Sequence, residues 1–148
     1  MPPSIAASSW AARPDLYLIV HAVDGLDPGT YVLDREGEKL ALLQAGDFRR
    51  EAGHLGLGQA LPAEAAACVY WLVDLKPMFE RYGNRGYRAA QLEAAIEGGK
   101  SYLAAYALRA GATGLTFFDD DVIRFFSPHA AGKSVMFLMA FGHPEQRR

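Results

Sequence analysis

The feature that most constrains this chain is a proline-free stretch at residues 87–110, long enough for about six helical turns. Apolar residues recur there at helical spacing and predict a single apolar stripe, made of Leu92, Ile96, Leu103, Ala107 and Ala110. Gly111 is the expected stop signal. We therefore predict a long buried helix against which the rest of the chain packs.

Small residues crowd the middle of this predicted helix, including the adjacent pair Gly98 and Gly99. Each glycine inside a helix costs roughly 1 kcal/mol relative to alanine. Either a second helix packs closely against this point, or a flat ligand lies along the backbone. A short β-type run at 113–118 follows, and the three aspartates at 119–121 suit the N-cap and first turn of another helix.

The length and composition indicate one ordinary globular domain. The chain has 148 residues, of which 51% are hydrophobic and 22% charged. We expect one domain over 1–148, with an irregular segment at 1–14 and a tail at 143–148. The net charge of −2 gives no reason to expect a nucleic-acid partner.

The single cysteine, Cys68, excludes an internal disulfide, and its apolar neighbours predict a buried, inert thiol. No apolar run reaches the length of a membrane span, and no secretory leader is recognisable, so we expect a cytoplasmic protein without a membrane partner.

Elsewhere the sequence alternates short strand-like and helix-like segments. We predict a β-meander over 16–43, two short helices over 46–64 and a central strand at 68–73. A short helix at 76–82 precedes the long one, and a final strand covers 134–141. The absence of strict βαβ alternation favours the α+β class.

Several other motifs carry no function. The two Gly-Lys-Ser triplets, which begin at Gly99 and Gly132, lack the upstream glycine of a phosphate-binding loop. The segment beginning at Gly56 lacks the third glycine of a dinucleotide fingerprint. The four histidines have no ligand spacing, so no metal is expected.

A series of short motifs in the second half of the chain resembles one enzyme family in order and spacing. The motifs are Tyr87-Arg88, Leu92-Glu93-Ala94, Tyr102-Leu103-Ala104-Ala105, Gly111-Ala112 and Phe118-Asp119-Asp120. Together with the strand and hairpin at 16–34 and the final strand, they resemble the nitroreductase superfamily. The branch they resemble most is that of the thiazole/oxazole-forming peptide dehydrogenases. The resemblance covers roughly residues 8–144 and implies a nitroreductase-like fold, in which an antiparallel or mixed sheet packs with a long central helix and shorter helices.

The resemblance implies an FMN-dependent oxidoreductase that transfers hydride through the flavin. NAD(P)H and a nitroaromatic, a quinone or an azoline-bearing peptide are the implied substrates. Members of the family exchange segments between two chains, so the resemblance implies a homodimer with the flavin at its interface.

The resemblance also implies a set of site residues. Those that correspond to cofactor contacts are Ser8, Ser9, Arg13, Arg85, Gly98, Gly99, Lys100, Leu115, Thr116, Phe117, Arg147 and Arg148. Tyr82 is the implied proton donor or acceptor. Its lysine neighbour in the dehydrogenase branch is Arg81 here, and a guanidinium does not release a proton at neutral pH.

The sequence departs from the family pattern at several of these positions. Phe117 stands where a glycine is common, and Ala7, Ala11 and Arg13 replace a proline, an asparagine and a glutamine. The family's first helices, which carry a phosphate grip, have no counterpart. These departures support an alternative: a flavin-free nitroreductase-like scaffold or partner subunit without catalysis.

Overall fold

The computed structural model describes residues 13–143, which form one sheet with helices on both of its faces. The elements in chain order are β1 (Asp15–Val20), β2 (Gly29–Asp34), β3 (Lys39–Ala45), α1 (Arg49–Leu55), α2 (Ala60–Glu64), β4 (Ala67–Val73), α3 (Leu75–Tyr82), α4 (Arg85–Ala107), β5 (Gly111–Leu115), α5 (Asp119–Phe126) and β6 (Ser134–Gly142). Within this range no helix combines the length and the apolar character that crossing a bilayer requires.

All neighbouring strands of the six-stranded sheet are antiparallel, in the order β3-β2-β1-β4-β6-β5. The first three strands form the predicted meander, and the two short helices follow it as predicted. The α+β class is confirmed. The predicted central strand is β4, which pairs with β1 on one side and β6 on the other.

Strand β4 is apolar along its whole length because both of its faces are covered. Cys68 and Tyr70 point into a first hydrophobic cluster, which α1 and α5 close. Trp71 and Val73 point into a second cluster, which α3 and α4 close. Alternate residues of a strand lie on opposite faces of a sheet, so an uninterrupted apolar run is required here.

Helix α4 packs through the opposite side from the one that its sequence predicts. Its buried residues are small and recur mostly at every fourth position: Gly86, Ala90, Ala94, Gly98 and Ala105. By contrast Leu92 is 60% exposed and Leu103 is 70% exposed, and Ile96 is also exposed. The predicted apolar stripe therefore exists on one side of the helix, but the prediction that this side is buried was wrong. Small side chains bring the helix axis close to the sheet, which leaves the larger ones on the outside.

Two predicted boundaries were also wrong. Helix α4 ends at Ala107, where Arg109 adopts a φ of 55° and the N–H of Ala110 donates to the carbonyl of Ala105 at 2.8 Å. A non-glycine residue therefore supplies the left-handed turn that usually favours glycine, and Gly111 begins β5 instead. The N-cap of α5 is Phe118, with no side-chain cap bond, while the three aspartates fill the first turn as predicted.

Candidate functional site

The middle of α4 and the end of β5 meet on either side of one aromatic ring, that of Phe137 on β6. A Cβ added to Gly98 would lie 2.4 Å from this ring, and one added to Gly114 would lie 3.0 Å from it. The hydroxyl of Tyr102 accepts a hydrogen bond of 2.5 Å from the N–H of Gly114. The fold therefore brings the predicted helix positions and the chain that leaves β5 into one region.

The two adjacent glycines of α4 have different surroundings. Gly98 faces the sheet and is buried, so close packing of helix on sheet accounts for its missing side chain. This is neither of the two explanations that the sequence left open. Gly99 is exposed, and an added Cβ would meet nothing within 4 Å. Lys100 beside it is exposed as well. Only Gly99 therefore leaves backbone open to a flat ligand.

The residues that leave β5 are divided between core and surface. Leu115 and Phe117 are partly buried and pack against the first hydrophobic cluster, on the α5 side of the sheet. Thr116 between them is exposed. Phe117 thus occupies the core beneath α5, and its ring does not fill the space over Gly99.

The remaining predicted residues lie away from this junction. Tyr82 is half-buried against the second cluster, with the Arg81 guanidinium 5.5 Å from its ring centroid. Arg85 is exposed at the start of α4, about 20 Å along the helix axis from Gly98 at 1.5 Å per residue. Arg13 is exposed before β1. Ser8, Ser9, Arg147 and Arg148 lie outside the described residues.

A polar network beneath α4 was missed by the sequence reasoning. The carboxylate of Glu97 accepts a 3.0 Å hydrogen bond from the indole Nε1–H of Trp71 and lies 3.4 Å from Arg35. Arg35 also donates to the carbonyl of Pro14 at 2.6 Å. The network ties α4, one residue before its glycine pair, to the sheet and to the entrance of β1. A glutamate among small apolar residues was its only signal.

A second missed cluster anchors the loop between α5 and β6. Lys133 donates to Asp15 at 2.7 Å and to the hydroxyl of Tyr17 at 2.9 Å, and this hydroxyl lies 2.7 Å from His129 Nδ1. Burial raises the pKa of Tyr17. Burial alone would lower the pKa of Lys133, but its bonds to Asp15 and Tyr17 outweigh that effect and raise it. Since Tyr17 is fully buried, we assign this cluster a structural role.

Ionisable groups are also buried under α2. Burial raises the pKa of Cys68 to about 12, which confirms the predicted inert thiol. The Nε2–H of His21 donates to the carbonyl of Pro62 at 3.1 Å, and burial lowers the pKa of this histidine. Neither side chain can act as a nucleophile or a base toward a substrate from this position.

Three cavities of the described range lie elsewhere. One, of about 650 Å³, lies between α1 and α5. Two others, of about 680 and 550 Å³, adjoin the end of β6 near Gly142. None of these three is lined by residues 98–100 or 115–117. Gly99, Lys100 and Thr116, the exposed positions among these residues, line none of these three cavities and need a further element to enclose a ligand.

Several solved structures are similar to this chain. A protein from Anabaena variabilis assigned to the nitroreductases is 33% identical with a TM-score of 0.83, over 89% of this chain and 27% of that chain. A chain of the E. coli microcin synthetase McbBCD complex is 12% identical with a TM-score of 0.75, over 91% of this chain and 53% of that chain. The NADPH:FMN oxidoreductase of Vibrio harveyi is 18% identical with a TM-score of 0.51, over 66% of this chain and 46% of that chain.

These matches establish the fold. The chain spans between about a quarter and about half of the length of these three structures. No protein-family model matches the chain, and no curated protein sequence matches it.

Proposed function

Since the chain has the fold of the nitroreductase superfamily, we propose that it is an FMN-dependent oxidoreductase in which hydride passes through the flavin. The observation that carries the proposal is the junction of α4 and β5. There Gly98 and Gly114 pack on either side of the Phe137 ring, and the exposed Gly99 and the segment 115–117 follow these two glycines in the chain. A glycine that leaves the helix surface bare lets a flat ring system approach the backbone closely.

Each site residue then has a distinct role. Gly99 and the backbone of 115–117 contact the ring system, and Gly98 sets the distance between helix and sheet beneath it. Lys100 and the tail residues Arg147 and Arg148 are the candidate partners of the phosphate, since arginine forks and ammonium groups both suit that anion. Arg85, about 20 Å along α4 from Gly98, would reach a phosphate only from a second copy of the chain. When bound, FMN accepts and donates hydride. Tyr82 is the proposed holder of the accompanying proton, and since it lies away from the junction within one chain, it would serve a flavin that a second copy of the chain binds.

The outer side of α4 supports a homodimer with the flavin at its interface. Large apolar side chains are exposed along the helix, including Leu92, Ile96, Leu103 and Tyr106. Contiguous exposed apolar surface of this kind marks a protein interface. A second copy on this side would cover the same helix surface that carries Gly99, and it would supply the missing enclosure.

The proposal includes an electron donor and an acceptor. The donor is NAD(P)H, and the acceptor is a small aromatic molecule or an azoline-bearing peptide.

A second candidate is a flavin-free partner subunit. It is favoured by two departures from the family that the sequence resembles: the segment 98–101 stands where the family usually has a helix segment that contains glutamine and asparagine, and Phe117 stands where a glycine is common.

Reconstitution with FMN tests the proposal and separates the two candidates. The purified chain, incubated with FMN and freed of excess, should be yellow and should be bleached by NAD(P)H. Gly99→Leu should weaken FMN binding by at least about tenfold, because a branched side chain would cover the open backbone. Ala104→Leu, which places the same side chain elsewhere on the exposed helix surface, should bind FMN normally. A wild-type chain that stays colourless would contradict the oxidoreductase proposal, and the flavin-free partner subunit would then be the remaining candidate.

A further inference from the structure

The cleft between α1 and α5 is formed by residues that have no part in the proposed flavin site. Its volume of about 650 Å³ falls within the range of about 300–1,000 Å³ typical of small-molecule sites. Two contacts fix its walls: the N–H of Phe118 donates to the carbonyl of Leu55 at 3.0 Å, and the rings of Phe48 and Phe125 meet edge to face at 5.6 Å. The cleft is therefore a built feature of the fold.

Two acidic side chains line the cleft, Glu51 and Asp121, and Asp121 is already fully engaged. His54 Nε2 lies 2.7 Å from one carboxylate oxygen of Asp121, and Arg124 pairs with the other oxygen. The bond from His54 is the main reason that the pKa of Asp121 lies below its ordinary range. Asp121 is consequently charged at neutral pH and has both oxygens occupied, so it offers little to a cationic ligand.

The unused hydrogen-bond donors of the cleft belong to two arginines, Arg50 and Arg124. The Arg50 side chain is 93% exposed, and its contact with the neighbouring Glu51 is 3.4 Å long, a type of surface pair that contributes little. Arg124 is also mostly exposed and keeps further N–H donors beyond its bond to Asp121. Both guanidinium groups can therefore turn toward an anion in the cleft.

The inner wall of the cleft is apolar. Leu55 and Phe125 line it beneath the two arginines. We propose that this cleft binds a small organic monoanion with a flat apolar body, of the aromatic carboxylate class. Phe125 and Leu55 contact the body, and Arg50 and Arg124 hold the carboxylate, for which the guanidinium fork is geometrically suited.

Binding of benzoate to the full chain tests this site without flavin or turnover, so the result is independent of the proposed oxidoreductase function. Backbone amide shifts in an NMR titration should change in α1 and α5 and saturate. The double variant R50Q/R124Q should bind benzoate at least about tenfold more weakly, as expected for the loss of charge-assisted hydrogen bonds. K76Q/R88Q removes the same net charge from exposed positions on α3 and α4 and should bind normally.

Benzyl alcohol, which keeps the ring and lacks the charge, should bind at least about tenfold more weakly than benzoate. The site would be overturned by benzoate shifts confined to other elements or by equal affinity of the double variant. Equal affinity for benzyl alcohol would overturn the assignment of an anion. Because both arginines are exposed, urea unfolding should show that the double variant is as stable as the control variant.

Discussion

The two faces of the sheet are covered by different means. On the face closed by α1 and α5, large rings interlock: the centroids of Tyr17 and Phe126 lie 5.1 Å apart, and those of Tyr70 and Phe126 lie 5.2 Å apart. On the other face α4 approaches the sheet through glycines and alanines, and the bulk comes from sheet residues such as Trp71 and Phe137.

This difference explains why large apolar side chains of α4 are exposed. The first face buries its large side chains within the chain itself. The ionisable side chains of His21 and Cys68 are buried as well. The second face is sealed by a thin layer of small residues, so the large apolar residues of α4 point outward. We infer that α4 serves as the core of one chain on its inner side and as an interface on its outer side.

The largest expected effect comes from a methyl group on the inner side of α4. Gly98→Ala places a Cβ within 2.4 Å of Phe137, and overpacking of this kind costs about 1–3 kcal/mol. Gly99→Ala adds the same group on the outer side, where it meets nothing within 4 Å. It should stabilise the helix by about 0.5–1 kcal/mol. Urea unfolding measures the free energy of unfolding of both variants. If both variants changed it in the same direction, Gly98 would not face the sheet while Gly99 faces outward.

The second effect concerns the bond that ties α4 to the sheet. Glu97→Leu leaves the indole N–H of Trp71 without its acceptor, and an unpaired buried donor costs about 1–3 kcal/mol. Glu97→Gln keeps an acceptor and removes the charge. Because Arg35 and Glu97 are partly exposed, the loss of their ion pair should cost less than about 1 kcal/mol. Urea unfolding of the two variants tests this. If both lost the same free energy of unfolding, the loss would come from the removed charge and not from the unpaired indole N–H of Trp71.

A third effect should appear only between chains. Leu103→Glu places a charge on the exposed outer side of α4. It should weaken self-association at least about tenfold, since burying a leucine contributes about 1.5–3 kcal/mol. Leu42→Glu, at a comparably exposed leucine of β3, is the matched control. Sedimentation equilibrium measures both, and dissociation by the Leu42 variant alone would place the interface on β3.

The smallest expected effect is a pH dependence of stability, and it concerns His21, which is buried under α2. Burial holds the pKa of His21 below its ordinary 6.5, so the unfolded chain takes up a proton at a higher pH than the folded chain. The stability contributed by the neutral side chain is present above about pH 6.5 and is lost as the pH falls toward the lower folded value. The urea midpoint should therefore fall less on acidification in His21→Gln than in the wild type. Parallel curves would contradict this assignment.

Much of the fold could be predicted because its signals are local. The meander, β4 and the long helix each carry their own periodicity and turn residues. The orientation of α4 could not be predicted, because the narrow space between helix and sheet, and not hydrophobicity, decides which residues are buried there. Ala90 and Ala94 are therefore buried while Leu92 is exposed. The end of α4 was misplaced because Arg109 adopts a conformation usually taken by glycine.

The candidate site could be predicted only in part. The glycine pair pointed to α4, but a sequence does not show which glycine faces the sheet. The cleft at His54 and Asp121 joins residues 67 positions apart, and neither residue has a local signal of function. The network of Glu97 likewise depends on contacts with Arg35 and Trp71 that only the fold creates.

The central claim is that the outer side of α4 holds a flavin where two copies of the chain meet. Sedimentation velocity of the FMN-reconstituted protein, followed at both the protein absorbance and the blue absorbance of oxidised flavin, tests it in one run. The account predicts that the blue absorbance sediments with a species of twice the mass of the chain. Blue absorbance that sediments with a monomer, or that remains with free FMN, would contradict it.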